Sequence, residues 1–332
     1  MMTPVSRTLH IVQSTGGDHL TEDACFGTMF EHHAVLLVAD GAPVRLRPVA
    51  SLNALTAKFA DRYGAEVTPS GVASRLVRDT VARHAPDIPF TPLTEIIAEA
   101  NTRLAEELRA IYGDLSAEAV LRKEPALTIL AEEPRALRLM LPVCTYTAVR
   151  VDFARQQVEV AHGADSALLL LRCDGTLQQI TPDQMKQHDD AFKAALKTIP
   201  DEPAQHPFFK VLGVNRAVEL DRMNGLYHNY VAPDGALDPT VGVSVVNGLP
   251  QMRDYMFNAV VPLAGVQAVL VVSDGVFWPS ADDVSDIERL NMMGRMISEQ
   301  GLVGYMEALR AEERRQQLSH DDATLVMLHL SE

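Results

Sequence analysis

The chain reads as an α+β protein in which β-sheets pack face to face and helices lie outside them. Two observations carry that expectation. Short apolar runs rich in β-branched residues occur near both ends and in the middle of the sequence, with amphipathic helical blocks between them. That order lacks the regular strand–helix alternation of a doubly wound parallel sheet. At 332 residues the chain can bury a full core as one large domain or two modest ones.

From the N-terminus, Leu9 to Asp40 predicts three strands, with Gly16-Gly17-Asp18 at the first turn. The run Ala34 to Ala39 ends in Asp40-Gly41 and reads as an interior strand. Pro48 to Tyr63 places Leu52, Leu55, Phe59 and Tyr63 at helical spacing. Pro69-Ser70 starts a second helix through Val72, Leu76, Val77 and Val81. Thr91-Pro92 fits the cap and first position of a third, through Ile96, Ile97, Leu104 and Leu108. Gly113 to Arg138 shows no assignable period. Cys144 to Val151 alternates as a strand, Val158 to Val160 and Ala167 to Leu171 come next, and Asp174-Gly175 supplies a hairpin turn. Thr181-Pro182 opens a mostly helical, polar region reaching Asn215. Asp221 to Asn247 is rich in Gly, Pro and Asn and predicts loops, and Leu249 to Phe257 predicts a helix. Val266 to Ser273 is a strand, Asp282 to Arg315 one or two helices, and Ala323 to Leu330 a closing strand. No internal repeat or flexible linker interrupts this order, so a single domain is expected.

Composition narrows the function. A formal net charge of -15 argues against nucleic acid and against anionic membranes as partners. No apolar run approaches the ~20 residues of a membrane helix, and Met1 to Gly17 lacks the apolar stretch of a secretory signal. Cys25, Cys144 and Cys173 are odd in number and lie in strand-like segments. They read as small core residues in a reducing compartment, so the cytoplasm is the expected location. No Cys/His spacing resembles a zinc site.

The chemistry lies in short acidic motifs: Thr21-Glu22-Asp23, Asp40-Gly41, Ser273-Asp274-Gly275 and His320-Asp321-Asp322-Ala323-Thr324. Asp40 and Asp274 end apolar strands and Asp321 precedes one. A rigid strand frame can bring such carboxylates together although they are distant in the chain. Several converging carboxylates stay ionised only if a cation neutralises them, so a hard-metal site built from Asp is expected.

Taken in order, these motifs resemble the metal-dependent protein phosphatases of the PP2C type. The Thr-containing strand Cys144 to Val151, the turn Gly163-Ala164-Asp165-Ser166 and the segment Ala167 to Thr181 add to the match. Val243-Ser244-Val245-Val246-Asn247-Gly248 is similar to an element of some bacterial members. The resemblance runs from about Leu9 to Leu330. It implies a four-layer αββα sandwich, two antiparallel sheets flanked by helices, with two Mn²⁺ or Mg²⁺ ions at one edge. By the same resemblance Asp40 bridges both metals, the Gly41 carbonyl binds one, and Asp274 and Asp321 hold the second. Glu22 and Asp23 orient metal-bound waters, and Asp165 with Asp274 matches a weaker third metal site. The implied activity is hydrolysis of phosphoserine or phosphothreonine on a protein by a hydroxide bridging the metals. The segment 190–262 falls where members carry a variable flap, expected to govern substrate choice.

The chain departs from the pattern in places. Asp18 stands where many members carry a phosphate-binding Arg; His19, Arg45 and Arg47 are nearby candidates to supply that charge, and each reads first as an ordinary surface residue. Ala42-Pro43 comes after Asp40-Gly41, where eukaryotic members have a His acting as acid. Ala164 stands where Gly is usual, which leaves Asp165 open to a second reading as the start of a hairpin strand. Asp322 occupies a position that is Asn or Asp in the family and is not expected to be a ligand. Trp278 reads as a packing residue and His162 as a core or edge residue. Asp18 and Ala42 favour one rival, a catalytically weak or inactive relative acting as a regulatory binding module, and the retention of all the core Asp positions opposes it. A second rival, a metal hydrolase that converged on the same carboxylates, would have to reproduce the whole motif order.

Overall fold

A computed structural model describes residues 7–16, 20–42, 44, 47–88, 90–198, 227–279, 285–318 and 321–330. Its strands are β1 (Arg7–Ser14), β2 (Ala24–Met29), β3 (His33–Ala42), β4 (Val143–Asp152), β5 (Gln157–Gly163), β6 (Ala167–Arg172), β7 (Leu177–Gln179), β8 (Phe257–Pro262), β9 (Val266–Val272) and β10 (Ala323–Leu330). They form two five-stranded sheets, β1-β10-β9-β6-β7 and β2-β3-β4-β5-β8, and every pairing is antiparallel. The expected α+β sandwich is the fold observed.

Alternation along β3 explains why its apolar run is continuous. Ala34, Leu36 and Val38 meet Val149, Val160, Leu170, Val271 and Val326 between the sheets. Val35, Leu37 and Ala39 point the other way, into a core shared with helices. Both faces are covered, so no position calls for a polar residue. The covering helices are α1 (Val49–Tyr63), α2 (Pro69–His84) and α3 (Leu93–Tyr112). Apolar stripes such as Val72, Leu76 and Val77, or Ile97, Leu104 and Leu108, face the sheet. The Thr68 side chain caps α2 by accepting from the Gly71 N–H at 2.9 Å. The short helices α4 (Ala117–Lys123), α5 (Ile129–Glu132) and α6 (Leu137–Met140) occupy the stretch without a period, where single turns are too short to show one. After α7 (Lys186–Thr198) and the one-turn α8 (Met252–Tyr255), the long α9 (Asp286–Gln316) covers the outer face of the other sheet through Met293, Ile297, Tyr305 and Leu309. Its helical geometry breaks at Gly301, with φ of +71°.

Three expectations need correction. Leu249 to Phe257 is not a helix. It holds the single turn α8 and then enters β8, an edge strand on β5. Half-buried and exposed residues alternate weakly in β8, and Pro262 ends it, which is tolerated only at a sheet edge. Cys173 is exposed in the turn after β6 and not in the core, whereas Cys144 is buried. The third helix begins at Leu93 with Pro92 as its cap, one residue later than expected. The helical region expected to reach Asn215 lies in part outside the described residues. Among the described residues, no helix is long and apolar enough to cross a membrane.

His162 is buried in β5 and fully paired. A carbonyl can only accept, so Nε2 donates to the Pro182 carbonyl (2.8 Å) and Nδ1 accepts from the Thr147 hydroxyl (2.9 Å). Burial pushes its pKa down from 6.5 to about 4. The unfolded chain therefore binds a proton that the folded one refuses as pH falls from 6.5 towards 4. Stability should fall over that window by on the order of 3 kcal/mol. Urea unfolding of His162→Gln at pH 7 and pH 4.5 should show a smaller difference between the two than the unaltered protein; an equal difference overturns the assignment.

Candidate metal centre

Antiparallel pairing sets the end of one strand beside the start of its neighbour, and this gathers the acidic motifs at one rim of the sandwich. Asp40, near the end of β3, lies opposite Thr145 of β4. Asp23 directly precedes β2, whose Ala24 pairs with Ala39. In the other sheet Asp274 lies just beyond β9, Asp321 precedes β10, and Asp165 sits between β5 and β6. Asp40 continues the Leu36 and Val38 face, so it is directed to the gap between the sheets, where the second sheet's Asp residues emerge.

A cavity of about 590 Å³ opens there, and Glu22, Asp40, Gly41, Asp165, Asp274 and Asp321 all line it. Thr56, Thr68 and Ser70 from α1 and the start of α2 form part of its wall. None of the described residues lining it is Lys, Arg or His. A second pocket of about 300 Å³ lies on the other side of Asp165 and Asp274 and is also lined by Asp183, Lys186, Asp189 and Arg289.

The carboxylates feel one another. Burial, then Asp23, Asp274, Asp165 and Asp321, pushes the Asp40 carboxyl well above the usual range. Asp274 is exposed at the rim of the cavity, and desolvation by the surrounding protein together with the charges of Asp165 and Asp321 raises it too. Asp165 rises to about 7 through burial and the charges of Asp183 and Asp189. Asp23, raised to about 6 chiefly by burial, sits behind the cavity wall. One of its oxygens accepts from the Thr324 hydroxyl (2.6 Å) and the Ser273 hydroxyl (3.1 Å).

Backbone packing holds the motifs in register. Asp322 accepts from the N–H groups of Gly16 and Glu22, both at 2.9 Å, and so pins the first motif to the last. Glycine is required twice by close approach. A Cβ on Gly41 would lie 2.9 Å from the Glu22 carbonyl oxygen, and one on Gly275 would lie 2.0 Å from the Asp322 carbonyl oxygen. Arg310 of α9 reaches the loop before β10, donating to the Asp321 carbonyl at 2.7 Å and to the Ser14 carbonyl at 3.0 Å.

The residues fit a hard divalent cation. The donors are all oxygen, and Oδ1 of both Asp23 and Asp165 is buried without a hydrogen-bond donor. Among the described residues these side chains do not form a closed three-ligand cage; they share one cavity and one field. Asp322 lines the cavity and is bonded to backbone. Arg47 is not an ordinary surface residue: it is buried, bonded to Glu124 (2.7 Å), Ser51, Tyr112 and the Met140 carbonyl, and it ties α1 to α4 and α6. Asp18, His19 and Arg45 lie outside the described residues. Trp278 packs near Tyr305, with ring centroids 6.1 Å apart. Thr145 belongs to the Thr-containing strand that the sequence singled out, whereas Asp189 carries no motif and only the folded chain brings it to the site.

Among solved structures, the chain is similar over 100% of its length to a serine/threonine phosphatase of Staphylococcus aureus, covering 98% of that chain at TM-score 0.52 and 15% identity. A serine/threonine phosphatase of Mycobacterium tuberculosis aligns over 99% of this chain and 100% of its own, at TM-score 0.49 and 19% identity. A phosphatase catalytic domain in complex with 2 manganese ions aligns at TM-score 0.48 and 18% identity. No family model matches the sequence, and no curated protein does. The chain therefore has the PP2C-type fold, in the form found in bacterial serine/threonine phosphatases. At this identity the likeness is one of fold.

Proposed function

We propose that the protein is a divalent-metal-dependent phosphomonoester hydrolase acting on phosphoserine or phosphothreonine in proteins. One observation carries the reading: carboxylates from both sheets, Asp40, Asp165, Asp274 and Asp321, line a single cavity, where burial and neighbouring charges raise the proton affinity of Asp40, Asp165 and Asp274. Such an arrangement is unfavourable on its own and is explained by a cation. Asp40, the Gly41 carbonyl, Asp274 and Asp321 would hold a pair of Mn²⁺ or Mg²⁺ ions, with Glu22 and Asp23 supporting their waters and Asp165 with Asp274 serving a third. Bound there, the metals supply an activated water and neutralise phosphoryl charge. The chain's own groups do the rest. Thr324 and Ser273 fix the Asp23 carboxyl beside that of Asp40. Asp322 holds the Glu22 backbone, and Gly41 allows the Glu22 and Ser70 segments to close over the site. The segment 190–262 is assigned the choice of substrate, and the free cysteines fit a role in the cytoplasm.

Asp18, where many PP2C-type members carry a phosphate-binding Arg, favours a second reading, a weakly active or inactive relative that binds a partner. Ala42 in place of an acid fits it as well. One assay separates the two. With Mn²⁺ the purified protein should hydrolyse p-nitrophenyl phosphate, chelator should stop it, and Asp274→Asn should lower turnover by at least about 100-fold. Mn²⁺ binding without turnover supports the binding module, and failure to bind Mn²⁺ overturns both readings.

A further inference from the structure

We infer that Gln184 is a positioning residue for Asp165, holding the left-handed turn at Ala164 that turns Asp165 towards the cavity. The inference rests on the metal reading of Asp165 proposed above.

Ala164 has φ of +72°, a region in which a β-carbon crowds the backbone and which only glycine enters freely. Nothing intrinsic to alanine keeps it there. Gln184 grips it from both sides. The Ala164 N–H donates to Gln184 Oε1 at 2.9 Å, and the Gln184 N–H donates to the Ala164 carbonyl at 3.0 Å. The grip is itself anchored. Oε1 also accepts from the Ser244 N–H at 3.1 Å, and Nε2 donates to the Tyr255 carbonyl at 2.9 Å.

The preceding residue is equally constrained. A Cβ on Gly163 would lie 2.4 Å from the Ser244 carbonyl oxygen, so the chain cannot shift that way to relieve Ala164. On the other side of Ala164, Asp165 lines both pockets and has a buried, donor-free Oδ1. Released from Gln184, Ala164 would return to negative φ and swing the Asp165 backbone out of its present direction.

The test is Mn²⁺ titration of the chelator-treated protein, read by calorimetry and by loss of the free-ion signal in electron paramagnetic resonance. Asp165→Asn defines the binding that depends on Asp165. Gln184→Ala should weaken that same component by roughly tenfold, the scale of a non-glycine residue's aversion to this conformation. The double variant Ala164→Gly with Gln184→Ala should recover to within about twofold of the unaltered protein, because glycine needs no clamp. A residue that merely stabilised the fold would lower the melting temperature and gain nothing from glycine at 164. Should Gln184→Ala be too unstable to titrate, Q184E, which keeps an oxygen facing Ala164 and Ser244, should bind Mn²⁺ no more weakly than the unaltered protein; a loss as large as that of Asp165→Asn overturns the inference. Binding unchanged in Gln184→Ala, or no recovery in the double variant, overturns it while the metal reading stands. If Asp165→Asn binds like the unaltered protein, Asp165 is no ligand and the inference falls with it. A chain that takes up no Mn²⁺ at all ends both.

Discussion

Replacing Asp40 by asparagine should make the metal-free protein more stable and, at the same time, abolish its stabilisation by Mn²⁺. Burial and the charges of Asp23, Asp274, Asp165 and Asp321 hold the Asp40 carboxyl well above its ordinary range. An acid whose folded pKa is raised keeps protons that the unfolded chain has released, so its contribution to stability falls as pH rises above about 4. Asparagine carries no such penalty. In chelator at pH 7.5 the variant should therefore gain roughly 1 kcal/mol or more, and the gain should vanish near pH 4 where both chains are neutral at this position. Comparing the two chains at each pH cancels the opposite contribution of His162. With Mn²⁺ at about 100 times its dissociation constant the unaltered protein should gain close to 2.7 kcal/mol, and the variant should lose that gain. Melting curves over pH 4 to 8, with and without Mn²⁺, read both effects. A variant destabilised in chelator would mean that Asp40 is an ordinary structural acceptor, and the cation reading would lose its main support.

Arg310→Met should be the most damaging single change remote from the cavity. The guanidinium and its partner Glu313 are both buried, 8% and 7% exposed, and joined at 2.8 Å. Removing it breaks this buried ion pair, which costs on the order of 3 kcal/mol. It also frees the Ser14 and Asp321 carbonyls that the guanidinium ties together, so metal affinity should fall along with stability. Adding Glu313→Gln should restore part of the stability, because a neutral amide is easier to bury than a carboxylate that has lost its ion pair, but should not restore the hold on the Asp321 backbone. Urea unfolding of both variants, with Mn²⁺ titration of the double variant, checks this. A loss below about 1 kcal/mol in the single variant would show the pair to be screened and of little weight.

Legibility in the sequence tracked the strength of local pattern. Interior strands such as β3 and β9 were plain because both their faces are buried and their apolar runs end in Asp-Gly or Ser-Asp-Gly. The helices α1, α2 and α3 carried long apolar stripes and recognisable starts. The edge strand β8 was missed because an edge position asks little of its side chains and α8 before it looked like the start of a longer helix. Asp40, Asp274 and Asp321 were legible as candidates since each adjoins a strand. Arg47, by contrast, was read as a surface charge, and nothing in its neighbourhood announced that Glu124 and Tyr112 would bury it.

Local order and chemistry thus reside in the chain itself: period-two runs dictate strands, period-3.6 stripes dictate helices, and carboxylates at strand ends announce a site for cations. What only the tertiary structure decided is who meets whom. The antiparallel order β1-β10-β9-β6-β7 against β2-β3-β4-β5-β8 brings Asp23, Asp40, Asp165, Asp274 and Asp321 to one rim. The same order recruits Gln184 and Arg310, which carry no motif, to hold them. Side-chain periodicity is a property of a few neighbouring residues, whereas charge repulsion and burial act through space between residues as distant in the chain as Asp40 and Asp274, and even the grip on the strained turn spans twenty positions.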